Sequence, residues 1–229
     1  MPILLETAYL PPISYMAEVL RAGAVVIEVN ETYQKQTYRN HCSIYGPNGK
    51  QILSIPVVKV NGNHTTIKNI RISDQQPWQK IHWRSIETAY NNSPFFLFYQ
   101  DMFALLYEKK FGFLVDWNLE LLKVILKIIK VDVKIDLTIS YEKYPVIESV
   151  QSVGLNLKNN PDQEKTAEMK DLRGKLVQKN TDLQMEYPHY TQVFEPRHGF
   201  IPGLSVIDAI FNLGPETGDY LDQIMQGVP

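Results

Sequence analysis

The sequence is short of the features that most quickly betray a function. It holds one cysteine, Cys42, which excludes an intramolecular disulfide framework and fits a reducing compartment, so a cytoplasmic location is expected. Its 23 lysines and arginines stand against 25 acidic residues, a formal charge of −2. That balance lacks the broad positive field on which non-specific nucleic-acid binding depends, so no nucleic-acid partner is expected and any anion recognition must be local. The start of the chain has neither the basic opening nor the apolar run of a signal peptide, and the run Leu121 to Val133 is broken by Lys123, Lys127 and Lys130. Neither export nor a membrane span is expected. Histidines 41, 64, 82, 189 and 198 form no HxxxH or HExxH pattern and no CxxC exists, so no metal site is expected. GxxxxGK[ST], GxGxxG and GxSxG are also missing, and with them the commonest nucleotide and hydrolase signatures. No cofactor is expected.

What is present reads as one α/β domain over residues 1–229, with 44% hydrophobic residues to build a core. Tyr9-Leu10-Pro11-Pro12 is a stiffened turn, because proline lacks an amide hydrogen and biases the residue before it toward extended backbone. A helix capped by Ser14 follows, ended by Gly23, and Ala24 to Val29 is a buried strand. This is a Rossmann-like turn, helix and strand. Asn30 to Asn40 is a loop, and Gly46-Pro47-Asn48-Gly49 closes a hairpin between Tyr38–Tyr45 and Ile52–Val58. Ile67 to Ile72 alternates as a further strand. A central group of helices comes next: one from Pro77, one over Phe95–Tyr107, and one over Trp117–Ile129 capped by Asp116. Lys134 to Tyr141 alternates as a strand, with Ile135, Leu137, Ile139 and Tyr141 on the apolar side. Residues 148–184 form a polar excursion, and a last firm helix begins at Ser205 and stops at Gly214-Pro215. The fold class is therefore α/β with a mixed sheet.

Three groups of residues invite chemistry. Lys35 and Arg39 reach one anion only if the loop turns at Gln36 to Tyr38, since an extended chain would hold them ~13 Å apart and a helical turn ~6 Å; a solvated loop with scattered charge is the alternative. His82 lies on an apolar helix face beside Trp78 and Ile81, where a hydrogen-bonded core histidine competes with a proton-moving one. His198 sits in a loop bounded by glycine and proline just before a helix, well placed to act as acid or base or to donate to an anion. Asp208, three residues after Ser205, has capping-box spacing, which explains it without any catalytic role. The aromatic residues are read chiefly as core.

Three blocks together resemble a known family. The first is Ala8-Tyr9-Leu10-Pro11-Pro12-Ile13-Ser14-Tyr15 with Tyr33-Gln34-Lys35-Gln36-Thr37-Tyr38-Arg39-Asn40 and Gly49 to Pro56. The second is Trp78 to Ile86 with Ala89-Tyr90 and Pro94-Phe95-Phe96. The third is Tyr187 to Gln192, Gly199-Phe200-Ile201-Pro202 and Leu204 to Gly214. In this order they resemble the bacterial WbqC-like family, which is associated with O-antigen and other surface-polysaccharide clusters. The resemblance implies a transferase that acylates or aminoacylates amino sugars or nucleotide sugars, with a small anionic or sugar-linked ligand as partner. Carried over by position, it marks Tyr9, Pro11, Lys35, Arg39, Asn40, His82, Trp83, His198, Ser205, Asp208 and Asn212 as positions to test; of these, His198 and His82 are the candidates to move a proton and Tyr9, Lys35, Arg39, Asn40, Trp83, Asp208 and Asn212 the candidates to bind substrate. Longer members have, where this chain has 148–184, a segment that looks like a Rossmann-type helix and strand ending in a Ser-Gly motif, and that sequence pattern is missing here. Tyr9-Leu10-Pro11-Pro12 also lacks both histidines of HIGH-class nucleotidyl transferases, so adenylate chemistry is not expected. Two functions stay open: a transferase whose Lys35, Arg39, His82 and His198 share one cleft, and a non-catalytic scaffold in envelope assembly that exposes the Trp83, Tyr90 and Phe95 region.

Overall fold

The computed structural model describes residues 1–143, 150–152, 169–176 and 185–226. Ile3-Leu4-Leu5 is apolar without alternation, as suits a strand covered on both faces, and Ile3–Glu6 forms β1 with every residue buried. The sequence reading passes over this strand, because four residues carry no measurable period. Helix α1 runs Ile13–Ala22 and starts one residue before the expected Ser14 cap: Pro12 takes the N-cap position and Ser14 is buried inside the helix. The Ile13 amide donates to the Leu204 carbonyl at 2.9 Å, so a tertiary partner does the work of a capping side chain. Gly23 ends α1 at φ 66, and β2, Ala24–Glu28, returns parallel to β1 with Glu6 opposite Glu28.

The expected hairpin is present as β3, His41–Gly46, and β4, Gly49–Ser54, closed between Gly46 and Gly49. The strand expected over Ile67–Ile72 is mostly a 3₁₀ turn, Ile67–Asn69, followed by the two-residue β6, Arg71–Ile72, which pairs with β5, Val57–Val58. Ile67 and Ile70 are both fully buried, and a spacing of three is the period of a 3₁₀ turn. Helices α2, Trp78–Tyr90, α3, Phe96–Glu108, and α4, Leu114–Ile128, follow. Asp116 is not the cap of α4 but lies in its first turn, because the Leu114 amide is already taken by the Ile70 carbonyl. Trp117 is fully buried and meets Trp78, Tyr107 and Phe111 edge to face at 5.1–5.2 Å, so these rings are core.

Strand β7, Lys134–Thr138, is shorter than expected and pairs parallel with β2. Ile139 and Tyr141 are exposed, whereas Asp136 and Thr138 are buried; the strand lies inside the sheet, so its polar side is covered too. Most of the polar excursion at 148–184 lies outside the described residues. Within it, β8, Val150–Ser152, pairs antiparallel with β7, and β9, Lys170–Asp171, pairs parallel with β1. Toward the end come a short helix α5, Glu195–His198, then α6, Val206–Leu213, and α7, Thr217–Gln226. Gly214 ends α6 as expected, but α6 is not the last helix: the chain turns through Gly214–Glu216, and α7 packs back onto α1.

The five-stranded sheet has the order β8-β7-β2-β1-β9. Four of its strands are parallel, so β1, β2, β7 and β9 all end on one edge. The chain moves outward from β1 through β2 to β7 and then returns to place β9 on the far side of β1. That reversal is a topological switch point, where open α/β sheets leave a crevice beyond the strand ends. The mixed α/β architecture matches the expectation from sequence.

Candidate functional site at the carboxyl edge of the sheet

Each parallel strand delivers a polar side chain to this edge: Glu6 ends β1, Glu28 ends β2, Thr138 ends β7 and Asp171 ends β9. Glu28 is wholly enclosed. One of its oxygens accepts from the Thr138 hydroxyl at 2.7 Å and the Asn30 amide at 2.8 Å, and the other pairs with Arg173 Nη1 at 2.8 Å. Arg173 also forks onto both oxygens of Asp171, at 2.8 and 3.0 Å. Burial works to raise the Asp171 carboxyl, but the Arg173 hydrogen bonds outweigh it and hold the group below its ordinary value.

Arg39, 2% exposed, lies on the same edge. Its Nε and Nη2 donate to Glu31 Oε1 at 2.8 and 2.7 Å, and Nη2 stands 3.7 Å from Glu6 Oε1. Burial raises the Glu31 carboxyl against the pull of Arg39, with Glu6 and Glu28 adding repulsion. Glu6, 5% exposed, accepts from the Gly174 amide through Oε1 at 3.0 Å, whereas its Oε2 is buried with no hydrogen-bond partner among the described residues. Four carboxylates, Glu6, Glu28, Glu31 and Asp171, thus face two guanidinium groups, Arg39 and Arg173. An uncompensated buried carboxylate oxygen is expensive, because its hydration is lost without a replacement donor. A donor of positive charge would compensate it. Sequence reasoning misses Glu6, Glu28, Glu31 and Arg173; the available signal is an acidic residue closing each of the apolar runs Ile3-Leu4-Leu5 and Val25-Val26-Ile27.

The residues marked from sequence do not gather in one place. Arg39 belongs to the edge just described, with its donors turned inward to carboxylates. Asn40 is buried beside it in sequence and donates from Nδ2 to the Ile55 carbonyl at 3.0 Å. Lys35 is exposed and borders a shallow hollow of about 390 Å³ with Tyr33, His41 and Ser54.

His82, 5% exposed, and fully buried Tyr9 form a polar knot inside the core. Tyr9 Oη is 2.8 Å from His82 Nδ1 and 2.6 Å from Tyr107 Oη. Burial drives the His82 imidazole down to about 4 and the Tyr9 hydroxyl well above its ordinary value, so both are neutral at pH 7. Trp83 is half-buried against Phe96 and Tyr107 and borders a separate cleft of about 510 Å³.

His198 sits at the hairpin tip, with Nε2 2.9 Å from the Pro47 carbonyl and its ring against Tyr45. Lys35 lies by the hairpin base, next to His41 and Ser54. Five residue steps along β3 separate base from tip, roughly 16 Å at the rise of a strand. The expected convergence of Lys35, Arg39, His82 and His198 on one cleft is thus not what the fold produces.

Asp208 is fully buried. Its Oδ2 accepts from Tyr190 Oη at 2.6 Å and Gln192 Nε2 at 2.9 Å, and burial pushes its carboxyl up to about 6. Ser205 does cap α6 through its hydroxyl, but its own amide donates to Ser43 rather than to Asp208. The capping box expected from spacing is therefore open on its Asp208 side. Asn212 is half-buried one turn further on and donates from Nδ2 to the Asp208 carbonyl.

Among the described residues no helix is long and apolar enough to cross a membrane, and no three His, Cys, Asp or Glu side chains group as a metal-ligand set. No solved structure gives a significant match to this chain. An uncharacterised protein of Mycobacterium tuberculosis is 24% identical over 230 residues, covering 95% of this chain and 96% of its own length. The model of the WbqC-like protein family matches residues 7–220, which takes in Glu6's neighbour Thr7, both arginines of the sheet edge and all the blocks quoted above. The chain belongs to the WbqC-like protein family.

Proposed function

We propose that the protein is an acyl or aminoacyl transferase acting on an amino sugar or nucleotide-linked amino sugar in surface-polysaccharide synthesis, with the amine received at the carboxyl edge of the sheet. The observation that carries this reading is Glu6 Oε2, a buried acceptor with no partner among the described residues, at the switch point of a sheet whose acids outnumber its bases. An ammonium fits such a point: it supplies N–H donors and one positive charge. Arg39 holds Glu31 and Glu6 in place. Glu31, which burial raises, takes one proton from the ammonium, the freed nitrogen attacks the carbonyl carbon of an acyl donor, and the leaving group departs with the bonding pair and takes up the second proton, which the nitrogen sheds as the amide forms. The polysaccharide setting that the family resemblance implies adds the sugar to the amine.

The test is thermal stabilisation by 2-amino-2-deoxyglucose compared with its N-acetyl counterpart. At a concentration 100 times Kd, the amine should raise the melting temperature on the order of 5 °C. Glu6→Gln should abolish the shift. An equal shift from the N-acetyl sugar, or a shift retained by Glu6→Gln, would defeat the proposal.

A second reading, a non-catalytic scaffold in envelope assembly, draws on a different observation. Tyr90 is buried and Trp83 and Phe95 are half-buried, so the patch expected there is not open. Leu97, Phe98 and Leu105, however, are 71%, 75% and 60% exposed on one side of α3. This reading predicts that Phe98→Ser stops polysaccharide assembly in cells while amine binding is untouched; loss of assembly in Glu6→Gln alone would reject it.

A further inference from the structure

The largest cleft among those described, about 880 Å³, lies away from the sheet edge, between the 189–197 segment and the ends of α2 and α6. Its floor is held by hydrogen bonds that leave little freedom. Gln192 donates to Asp208 Oδ2 and to the Ile201 carbonyl, both at 2.9 Å, and accepts from the Ile201 amide at 2.8 Å. Tyr190 is fixed by its bond to the same carboxylate and by rings of Phe200 and Tyr220 at 5.4 and 4.9 Å. A buried carboxylate is a costly way to pin a loop, and the pinned residues flank the side chains that face the cleft.

Those side chains make a set. His189 Nε2 is hydrogen-bonded to Glu195 Oε1, and Glu195 Oε2 accepts from the Gln192 amide at 3.1 Å. The pair with His189, then the Gln192 amide, holds the Glu195 carboxyl below its ordinary value. With Nε2 engaged, Nδ1 is the imidazole nitrogen left to meet a ligand. Asn212 spends Nδ2 on the Asp208 carbonyl, leaving Oδ1 as an acceptor. Arg197 is exposed on the rim and makes no ion pair among the described residues. Phe194, against Tyr45 at 5.9 Å, supplies an apolar wall.

We infer that this cleft binds a polyhydroxylated acid, a sugar ring carrying a carboxylate or a phosphate. Planar polar groups at His189 and Asn212 meet hydroxyls, the Phe194 ring meets the C–H face, and the Arg197 guanidinium meets the acid in a bidentate pair. Asp208 is a positioning residue, acting through Gln192 and Tyr190. The inference stands apart from the amine site, since none of these residues lies at the sheet edge.

Calorimetric titration of the full chain with glucuronate, glucose 6-phosphate and glucose tests it, and separates the two kinds of acid. One acid or both should bind at least tenfold more tightly than glucose. Arg197→Gln should bring the acid down to the affinity of glucose, and Asn212→Ala should weaken acid and neutral sugar alike severalfold. Arg197 is exposed, so a circular dichroism spectrum matching that of the parent is expected for its variant. No binding of either acid, or unchanged acid affinity in Arg197→Gln, overturns the inference. None of these ligands carries an amine, so the result is independent of the reading of Glu6.

Discussion

His82 and Asp208 are both enclosed by the fold, and burial shifts them in ways that oppose each other as pH changes. Native His82 is held down to about 4, so below pH 6.5 the unfolded chain binds a proton that the folded chain refuses. Its contribution to stability is present above pH 6.5 and is lost as pH falls toward 4. Native Asp208 is pushed up to about 6, so between pH 4 and 6 the folded chain binds a proton that the unfolded chain has released. Its contribution is present at low pH and is lost as pH rises through 6. Each amounts to roughly 3 kcal/mol. The parent protein should therefore show a shallow stability profile from pH 4 to 6. Asp208→Asn should leave a profile that falls on acidification, and His82→Gln one that rises. Denaturant midpoints over this range check both, and parallel profiles in the two variants would contradict the assignments.

At the scale of elements, the sequence is most legible where period and punctuation agree. The hairpin announces itself through Gly46-Pro47-Asn48-Gly49, and α2 through Pro77 and its apolar side. Helix starts are misplaced where a distant carbonyl replaces a local cap, as Leu204 does for Ile13 and Ile70 for Leu114; no local rule sees such a partner. Strands β1 and β9 escape because a few residues are too short for a pattern, and they gain meaning only by pairing with each other. That pairing creates the switch point, so the candidate site is legible only in part: Arg39 stands out in the sequence, and its carboxylate partners do not.

Two helix-ending glycines allow a quantitative check. Gly23 has φ 66 and open space where a side chain would stand, whereas a Cβ on Gly214, at φ 58, would lie 2.5 Å from Phe95 ring carbons. Gly23→Ala should cost about 1 kcal/mol, the strain of a left-handed backbone alone. Gly214→Ala should cost ~2–4 kcal/mol, since the Phe95 ring must also move. Equal losses in denaturant titrations would show that the α6 end yields more easily than its packing implies.

Across the whole molecule, charge is nearly balanced in number, 23 against 25, yet it is not balanced in place. The parallel sheet gathers Glu6, Glu28, Glu31 and Asp171 at one edge and sets against them the ion-paired Arg39 and Arg173, with the Lys175 ammonium beside Asp171. Lys35, which sequence spacing pairs with Arg39, stands outside on the solvent side of the loop. The proposed function turns on what fills the space beside Glu6. A crystal structure of the protein grown with 2-amino-2-deoxyglucose would answer it directly. The ammonium nitrogen should lie about 3 Å from Glu6 Oε2, at ordinary hydrogen-bond distance. An ordered sugar bound elsewhere, with Glu6 Oε2 still without a partner, would contradict an amine-receiving edge.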